Sequence, residues 1–360
     1  MPPTRRWIAR TIRFILLISI SLAVHGILLS RECFAQDTFY QGKTITLIQG
    51  RGPGGTGDLR VKAIVPLLQK YIPGNPAIVN EYMTGGGGRK ASNHIYGSAR
   101  PDGLTIGNVG IGLISGAVLG ETGIQYDLDK LVYLGAPISA RHMIFFSRGG
   151  ADLSSLEKLR AAVGIRIGAE SVGHSGYIQG RIFAWLLGLK EARFVTGYAP
   201  TEIDVGLVQG EMDAHATNAD SVAQRHPDWI TKKLMNFHAI MAVAKGAKHD
   251  RFGHLPELDT FANSEQEHRL LAMHRAFWLP GQPFIAPPGV PKDRTKILQA
   301  AFHKAYNDPE FSSNFRKLVG DDPSPLMPEE LERVVREFPR DPKTTELYKR
   351  IAGQISLPSR

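Results

Sequence analysis

Gly50-Arg51-Gly52-Pro53-Gly54-Gly55-Thr56-Gly57-Asp58 is the stretch whose reading decides the fold. Before it stands Thr44-Ile45-Thr46-Leu47-Ile48, a β-branched apolar run that reads as a buried strand. After it, Leu59, Val61, Ile64, Val65, Leu67 and Leu68 recur at roughly helical spacing as far as Tyr71. The order is strand, glycine loop, helix. Glycine permits positive φ and lets consecutive N–H groups approach a guest, while the helix start adds partial positive charge. Such a loop can cradle an anion.

A second run, Thr84-Gly85-Gly86-Gly87-Gly88, follows the short strand-like segment Ala77-Ile78-Val79. One glycine loop alone is more often a tight connection than a binding site. Two of them at the ends of successive strands face each other, and in an open α/β sheet ligands bind outside the carboxyl ends of the strands. A third strand, Leu104 to Gly107, follows the turn Arg100-Pro101-Asp102-Gly103. The βαβαβ order predicts a doubly wound parallel sheet.

A second α/β series begins further on. Met143 to Phe146 reads as a strand, and Leu153 to Ala162 as a helix capped by Asp152 or Ser154. Ile165 to Gly168 is the next strand, and Glu170-Ser171-Val172-Gly173-His174-Ser175-Gly176 the loop entering a helix over Tyr177 to Gly188. Phe194 to Tyr198, Met212 to Ala216 and Ala239 to Val243 supply further strands. From Pro256 the text reads as irregular until Phe277, and the proline-rich Phe284 to Pro291 reads as a crossing back. Amphipathic helices over Asp293–Asn307, Pro309–Leu318 and Pro328–Glu337 finish the chain. A glycine-loop unit that occurs twice predicts two α/β lobes with a cleft between them. The expected division is residues 1–35 as a leader, 36–140 with 277–360 as lobe 1, and 141–276 as lobe 2.

At 360 residues the chain suits two domains of ordinary size. Arg5, Arg6, Arg10 and Arg13 form a positive n-region, Phe14 to Leu29 is mostly apolar, and Cys33-Phe34-Ala35 resembles a cleavage site before Gln36. This reads as an export signal cleaved near Ala35, and the alternative is a membrane anchor. The apolar run is broken by Ser19, Ser21, His25 and Gly26, whereas a spanning helix needs about 20 apolar residues. Cys33 is the only cysteine, so the processed chain carries no disulfide, thiolate metal site or cysteine nucleophile. Setting aside the leader's five arginines and one glutamate lowers the formal charge from +9 to +5. Lysine and arginine are scattered, which suits anionic small molecules and not nucleic acid.

The ordered set of motifs resembles the periplasmic solute-binding proteins of tripartite tricarboxylate transporters, the Bug (TctC-like) family. The matching stretches are Phe39 to Asp58, Met83 to Gly88, Pro101 to Gly107, Thr196-Gly197-Tyr198, Gly210 to Asp213 and Pro287 to Pro291. The resemblance implies a type II Venus-flytrap fold of two α/β lobes joined by crossing strands. It implies a non-enzymatic, monomeric periplasmic protein without cofactor or metal, which captures a small organic acid and presents it to a membrane permease. Carried over residue by residue, the ligand-binding positions are Gly54, Gly55, Thr56 and Asp58 in the first loop and Gly85, Gly86, Gly87 and Gly88 in the second. Lobe 2 contributes Ser171, Gly173, His174 and Ser175, with Gly197 and Tyr198 opposite. The chain departs from the family at Arg51, where an apolar residue is usual, and at Thr84, which replaces a frequent proline. Arg51 either reaches the ligand or, as the favoured expectation, points into solvent.

Three other chemistries fit less well. Gly50-x-Gly52-x-x-Gly55 matches a dinucleotide fingerprint, with Glu81 near the ribose-binding position, and so allows an NAD-dependent oxidoreductase. That scheme leaves the second glycine loop without a role, and Pro53 stiffens the turn. Ser175, His174 and Asp213 are the ingredients of a hydrolase triad, but Gly173-His174-Ser175-Gly176 is not a Gly-x-Ser-x-Gly elbow. His215, on a buried-looking strand, reads as a core histidine. No histidine pair has metal-ligand spacing with a carboxylate nearby.

Overall fold

The computed structural model describes residues 39–170 and 172–360. The leader with its cleavage site, and Ser171, lie outside the described residues.

The first glycine unit forms as β1 (Thr44–Gln49), a helix over Thr56–Tyr71, and β2 (Ala77–Tyr82). The helix starts three residues earlier than its apolar periodicity and carries Pro66 inside it. A second helix, Arg89–Gly97, leads to β3 (Thr105–Asn108), and helix Gly112–Leu119 leads to β4 (Val132–Gly135). β1 pairs in parallel with both β2 and β3.

The chain then crosses to a second sheet. Its strands are β5 (His142–Arg148), β6 (Arg166–Gly168), β7 (Arg193–Val195), β8 (Ala214–Asn218) and β9 (Met235–Ala242). After β9 the chain returns, and β10 (Phe284–Ala286) enters the first sheet antiparallel to β3 and β4.

The sheet orders are β2-β1-β3-β10-β4 and β7-β6-β8-β5-β9. Each has a parallel trio, then one antiparallel strand, then an edge strand. In both sheets the antiparallel strand is the first to form after the chain has crossed from the other lobe, so the two crossings are built into the two sheets. This is a two-lobed α/β fold.

Three elements differ from expectation. Helix Leu156–Ala161 is capped by Ser155, whose hydroxyl accepts from the Lys158 N–H, and not by Asp152 or Ser154. The stretch read as irregular contains helix Glu265–Trp278, and beyond the last expected helix lies another, Pro342–Ala352. These two helices pack on each other, and the second also packs on helix Ser175–Leu187. They matter because a single apolar core runs from Ile48, Ile95 and Leu113 of the first sheet's layer through Leu271 and Phe277 to Phe145 and Phe183 of the second. The lobes therefore share packing at the back and open at the carboxyl ends of their strands.

The last residues strap this junction. Arg181 donates to the Ile355 carbonyl (2.5 Å), Trp185 Nε1 donates to the Pro358 carbonyl (2.8 Å), and Arg360 pairs with Glu267 (2.7 Å).

The two crossings touch. Gly281 has φ +58°, and a Cβ there would stand 1.8 Å from the Ile138 carbonyl oxygen. Alanine at 281 must push the crossings apart as well as hold a left-handed conformation. The expected cost is roughly 2–4 kcal/mol. A thermal melt reads it, and an unchanged midpoint would mean that the crossings do not meet there.

Candidate ligand-binding cleft

The two glycine loops meet. A Cβ on Gly50 would lie 3.2 Å from the Gly88 Cα, so only the absence of a side chain lets the loops approach this closely. Parallel pairing sets the approach: the Gly50 N–H donates to the Asn108 carbonyl and the Met83 N–H to the Gln49 carbonyl, which carries the sheet register into the loops. Gly85 to Gly88 all have positive φ. Gly85, at φ 127° and ψ 142°, is closed to L side chains, whereas Gly87, at φ 63° and ψ 26°, is left-handed, and the run forms a short 3-10 turn whose first N–H groups have no carbonyl within the turn. A third segment joins them, because the Gly87 carbonyl lies 3.2 Å from where a Gly112 Cβ would stand. Sequence reading gave Gly110, Ile111 and Gly112 no part in the site.

The first loop is held from within. Asp58 is fully buried, and its carboxylate accepts from Gln49 Nε2 (2.8 Å), the Tyr82 hydroxyl (2.9 Å) and the Gly54 N–H (2.9 Å). Lys62 completes the set at 2.7 Å. Burial alone would raise this carboxyl, but these donors outweigh it and hold the group down at about 2. Asp58 thus shapes the loop and uses up the Gly54 N–H. Gly54, Gly55 and Thr56 are exposed.

Arg51 does not point into solvent. Its side chain lies over Gly57, where a Cβ would be 2.6 Å from Arg51 Cδ, and its guanidinium donates to Asn108 Oδ1 (2.5 Å). The missing side chain at Gly57 makes the space. Burial first, and then the nearby Arg60, lower the Arg51 pKa to about 10.

Across from these loops, helix Ser175–Leu187 begins at His174, whose Nδ1 accepts from the Gly176 N–H (3.2 Å). The same nitrogen lies 3.0 Å from Glu170 Oε2. Neutral His174 makes the first contact and protonated His174 the second. The Glu170 carboxylate raises the imidazole pKa above its ordinary value against the opposing effect of burial.

Two connected crevices run between the lobes. One, of about 440 Å³, is lined by Thr56 and Arg60 from lobe 1, Arg141 from the crossing, and Glu170, His174 and Ser175 from lobe 2. The other, of about 570 Å³, is lined by Gly86, Gly87, Gly110 and Gly112 on one side and Gly173, His174 and Ser175 on the other. His174, Ser175 and Trp278 border both. A larger cavity of about 640 Å³ lies elsewhere, between the Ala117–Val118 turn of one helix and Pro342–Lys349. It reaches none of the glycine loops, and its Arg340 is paired with Asp129 (3.2 Å).

Of the sequence-derived positions, Thr56, Gly86, Gly87, Gly173, His174 and Ser175 come together in the cleft. Gly197 and Tyr198 line neither crevice. The Gly197 N–H donates to the Glu170 carbonyl (2.8 Å), and the Tyr198 hydroxyl turns to Glu211 (3.2 Å). No hydrolase triad assembles: both Asp213 oxygens are bound by Arg166, at 2.8 and 2.9 Å. His215 is a core histidine whose Nδ1 meets the Gly168 carbonyl at 2.9 Å, and burial lowers its pKa. Among the described residues no group of three His, Cys, Asp or Glu could hold a metal ion.

No family model matches the chain, and no curated protein matches it by sequence. Solved structures match it in fold. A TctC solute-binding protein from Polaromonas aligns at 16% identity and TM-score 0.62 over 87% of this chain and 98% of its own. The periplasmic binding protein BugD aligns at 18% identity and TM-score 0.59 over 87% and 99%. MatC from Rhodopseudomonas palustris with bound malate aligns at 17% identity and TM-score 0.56 over 86% and 99%. The chain has the two-lobed periplasmic-binding-protein fold.

Proposed function

We propose that this protein is an exported solute-binding protein of the tripartite tricarboxylate type, which captures a small carboxylate between its lobes and presents it to a membrane permease. The observation that carries the reading is the meeting of two glycine loops with the His174–Ser175 helix start across one cleft. Gly86, Gly87, Gly110 and Gly112 on one side and Gly173, His174 and Ser175 on the other line a space of small-molecule size, where glycine lets an acceptor-only carboxylate approach the backbone. The malate in MatC, a protein of the same fold, lends this chemistry support. The leader read from the sequence supports a periplasmic location, where the protein would work as a monomer without catalysing a reaction. The lobes divide near 140 and 277, with the final helix strapped over the junction.

Closure follows from differential contact. The glycine loops hold the anionic head in either state, and His174 and Ser175 reach it only when the lobes approach, so the ligand shifts the population toward the closed form.

A thermal-shift screen of the processed protein against mono-, di- and tricarboxylates, amino acids and NAD tests this. A rise in midpoint with at least one organic acid and none with NAD is expected. A response to NAD alone, or to nothing, would overturn the reading.

A further inference from the structure

The two crevices between the lobes differ in chemistry. The 440 Å³ crevice carries Arg60, Arg141, Glu170, Asp220, Arg225 and Asp321 on its walls. The 570 Å³ crevice, which holds Gly86, Gly87, His174 and Ser175, is also walled by Ile111, Leu119, Ile124, Val172, Ile178 and Trp278. These apolar side chains come from both lobes and from the junction behind them. Each is half-buried or exposed, so they are open to a guest and not sealed in the core. Trp278 borders both crevices, and Arg141 of the charged one lies 5.8 Å from its ring centre, so the change of chemistry falls at the indole.

The polar side chains on the walls of the larger crevice are already engaged. His274 Nε2 donates to Gln179 Oε1 (2.8 Å), and its Nδ1 accepts from the Tyr348 hydroxyl (2.9 Å). Burial lowers the His274 pKa to about 3, so the ring is neutral, and both its nitrogens and the Tyr348 hydroxyl are spent on each other and on Gln179. Ser115 Oγ returns to the Ile111 carbonyl (3.4 Å). Arg89 and Glu121 face each other at 3.8 Å and offset one another's charge. What the crevice offers a guest is glycine backbone, the His174–Ser175 helix start and hydrocarbon.

Hydrocarbon left against water is unfavourable in proportion to its area, and a guest that covers it gains in the same proportion. A short hydrophilic acid satisfies the glycine loop and leaves the apolar wall wet. A ring covers that wall, and a crevice of about 570 Å³ has room for one. Val172 sharpens the point. It is 42% exposed and directly precedes Gly173 and His174, so an apolar side chain stands on the part of lobe 2 that approaches the ligand on closure.

We propose that the captured acid carries an apolar body the size of a six-membered hydrocarbon ring, which lies against Ile111, Leu119, Val172, Ile178 and Trp278 while its carboxylate meets the second glycine loop. The inference rests on the proposed capture of a small carboxylate and names the class within it: an aromatic or alicyclic acid, not a short hydroxy- or dicarboxylate. The glycine loop then recognises the acid group, which all such ligands share, and the apolar wall selects among them.

Calorimetry on the processed protein at several temperatures, with benzoate, phenylacetate and cyclohexanecarboxylate against acetate, malate and succinate, tests it. At least one ring acid is expected to bind ten-fold or more tighter than each hydrophilic acid, with a negative heat-capacity change, the mark of apolar surface buried on binding. V172S, at an exposed position that leaves the fold intact, is expected to weaken that ring acid three-fold or more, whereas V172I keeps its affinity within two-fold of wild type or tightens it. A hydrophilic acid that binds as tightly as the ring acids, or a ring acid that V172S and V172I affect alike, would overturn the apolar body and leave the proposed capture standing. Failure of every acid to bind would overturn both readings.

Discussion

Alanine in place of Asp58 lowers the thermal midpoint by about 4–5 °C, the expected result of removing a buried carboxylate that four donors share. Hydrogen bonds to a charged group contribute about 1.5–3 kcal/mol each when a partner is deleted. The Lys62 and Tyr82 groups can turn to water, so the loss is dominated by Gln49 Nε2 and the Gly54 N–H and comes to about 3 kcal/mol.

The pH dependence follows. The folded-state pKa of Asp58 is depressed to about 2, against an ordinary carboxyl near 3.9 in the unfolded chain. Its contribution is complete above the unfolded value and disappears as pH falls through the folded one. Melting curves between pH 5 and pH 2 should therefore converge for wild type and D58A. Curves that stay parallel would show that Asp58 is not the charged centre of the loop.

The second large effect is on binding. G87D places a carboxylate at φ +63°, a conformation aspartate tolerates, in a position with no atom within 4 Å of the new Cβ. The fold should survive, with a midpoint within about 3 °C of wild type. Affinity for any acid found in the screen should fall by more than about 100-fold, because a fixed negative charge now faces the ligand's own in a low-dielectric cleft. An unchanged affinity would remove the second loop from the site.

Much of the fold was legible because its signals are local. Glycine runs after β-branched strands mark strand ends, and the twofold occurrence of that unit foretold two sheets. The helix over Glu265–Trp278 was missed although its start carries a serine N-cap: the Glu267 N–H donates to Ser264 Oγ, and Glu267 accepts the Asn263 N–H. Its polar first turns hid the apolar face of Leu270, Leu271, Met273 and Phe277, which becomes visible only when the junction it fills is known.

The candidate site was legible in the same measure. Gly86, Gly87, His174 and Ser175 announce themselves by loop chemistry. Arg60 on a helix and Arg141 in a crossing segment look like surface charges in sequence, and only tertiary structure turns both into one crevice. Arg51 was misjudged because its fate depends on the missing side chain of Gly57, six residues on, which lets the guanidinium fold back over the backbone.

A crystal structure of the processed protein with the tightest-binding acid from the screen tests the central claim most directly. The account predicts one carboxylate within hydrogen-bond distance of the Gly86 or Gly87 N–H, with His174 or Ser175 closing on it from the opposite lobe. An acid seated instead in the cavity between Ala117 and Lys349, or anywhere out of reach of the second glycine loop, would contradict it.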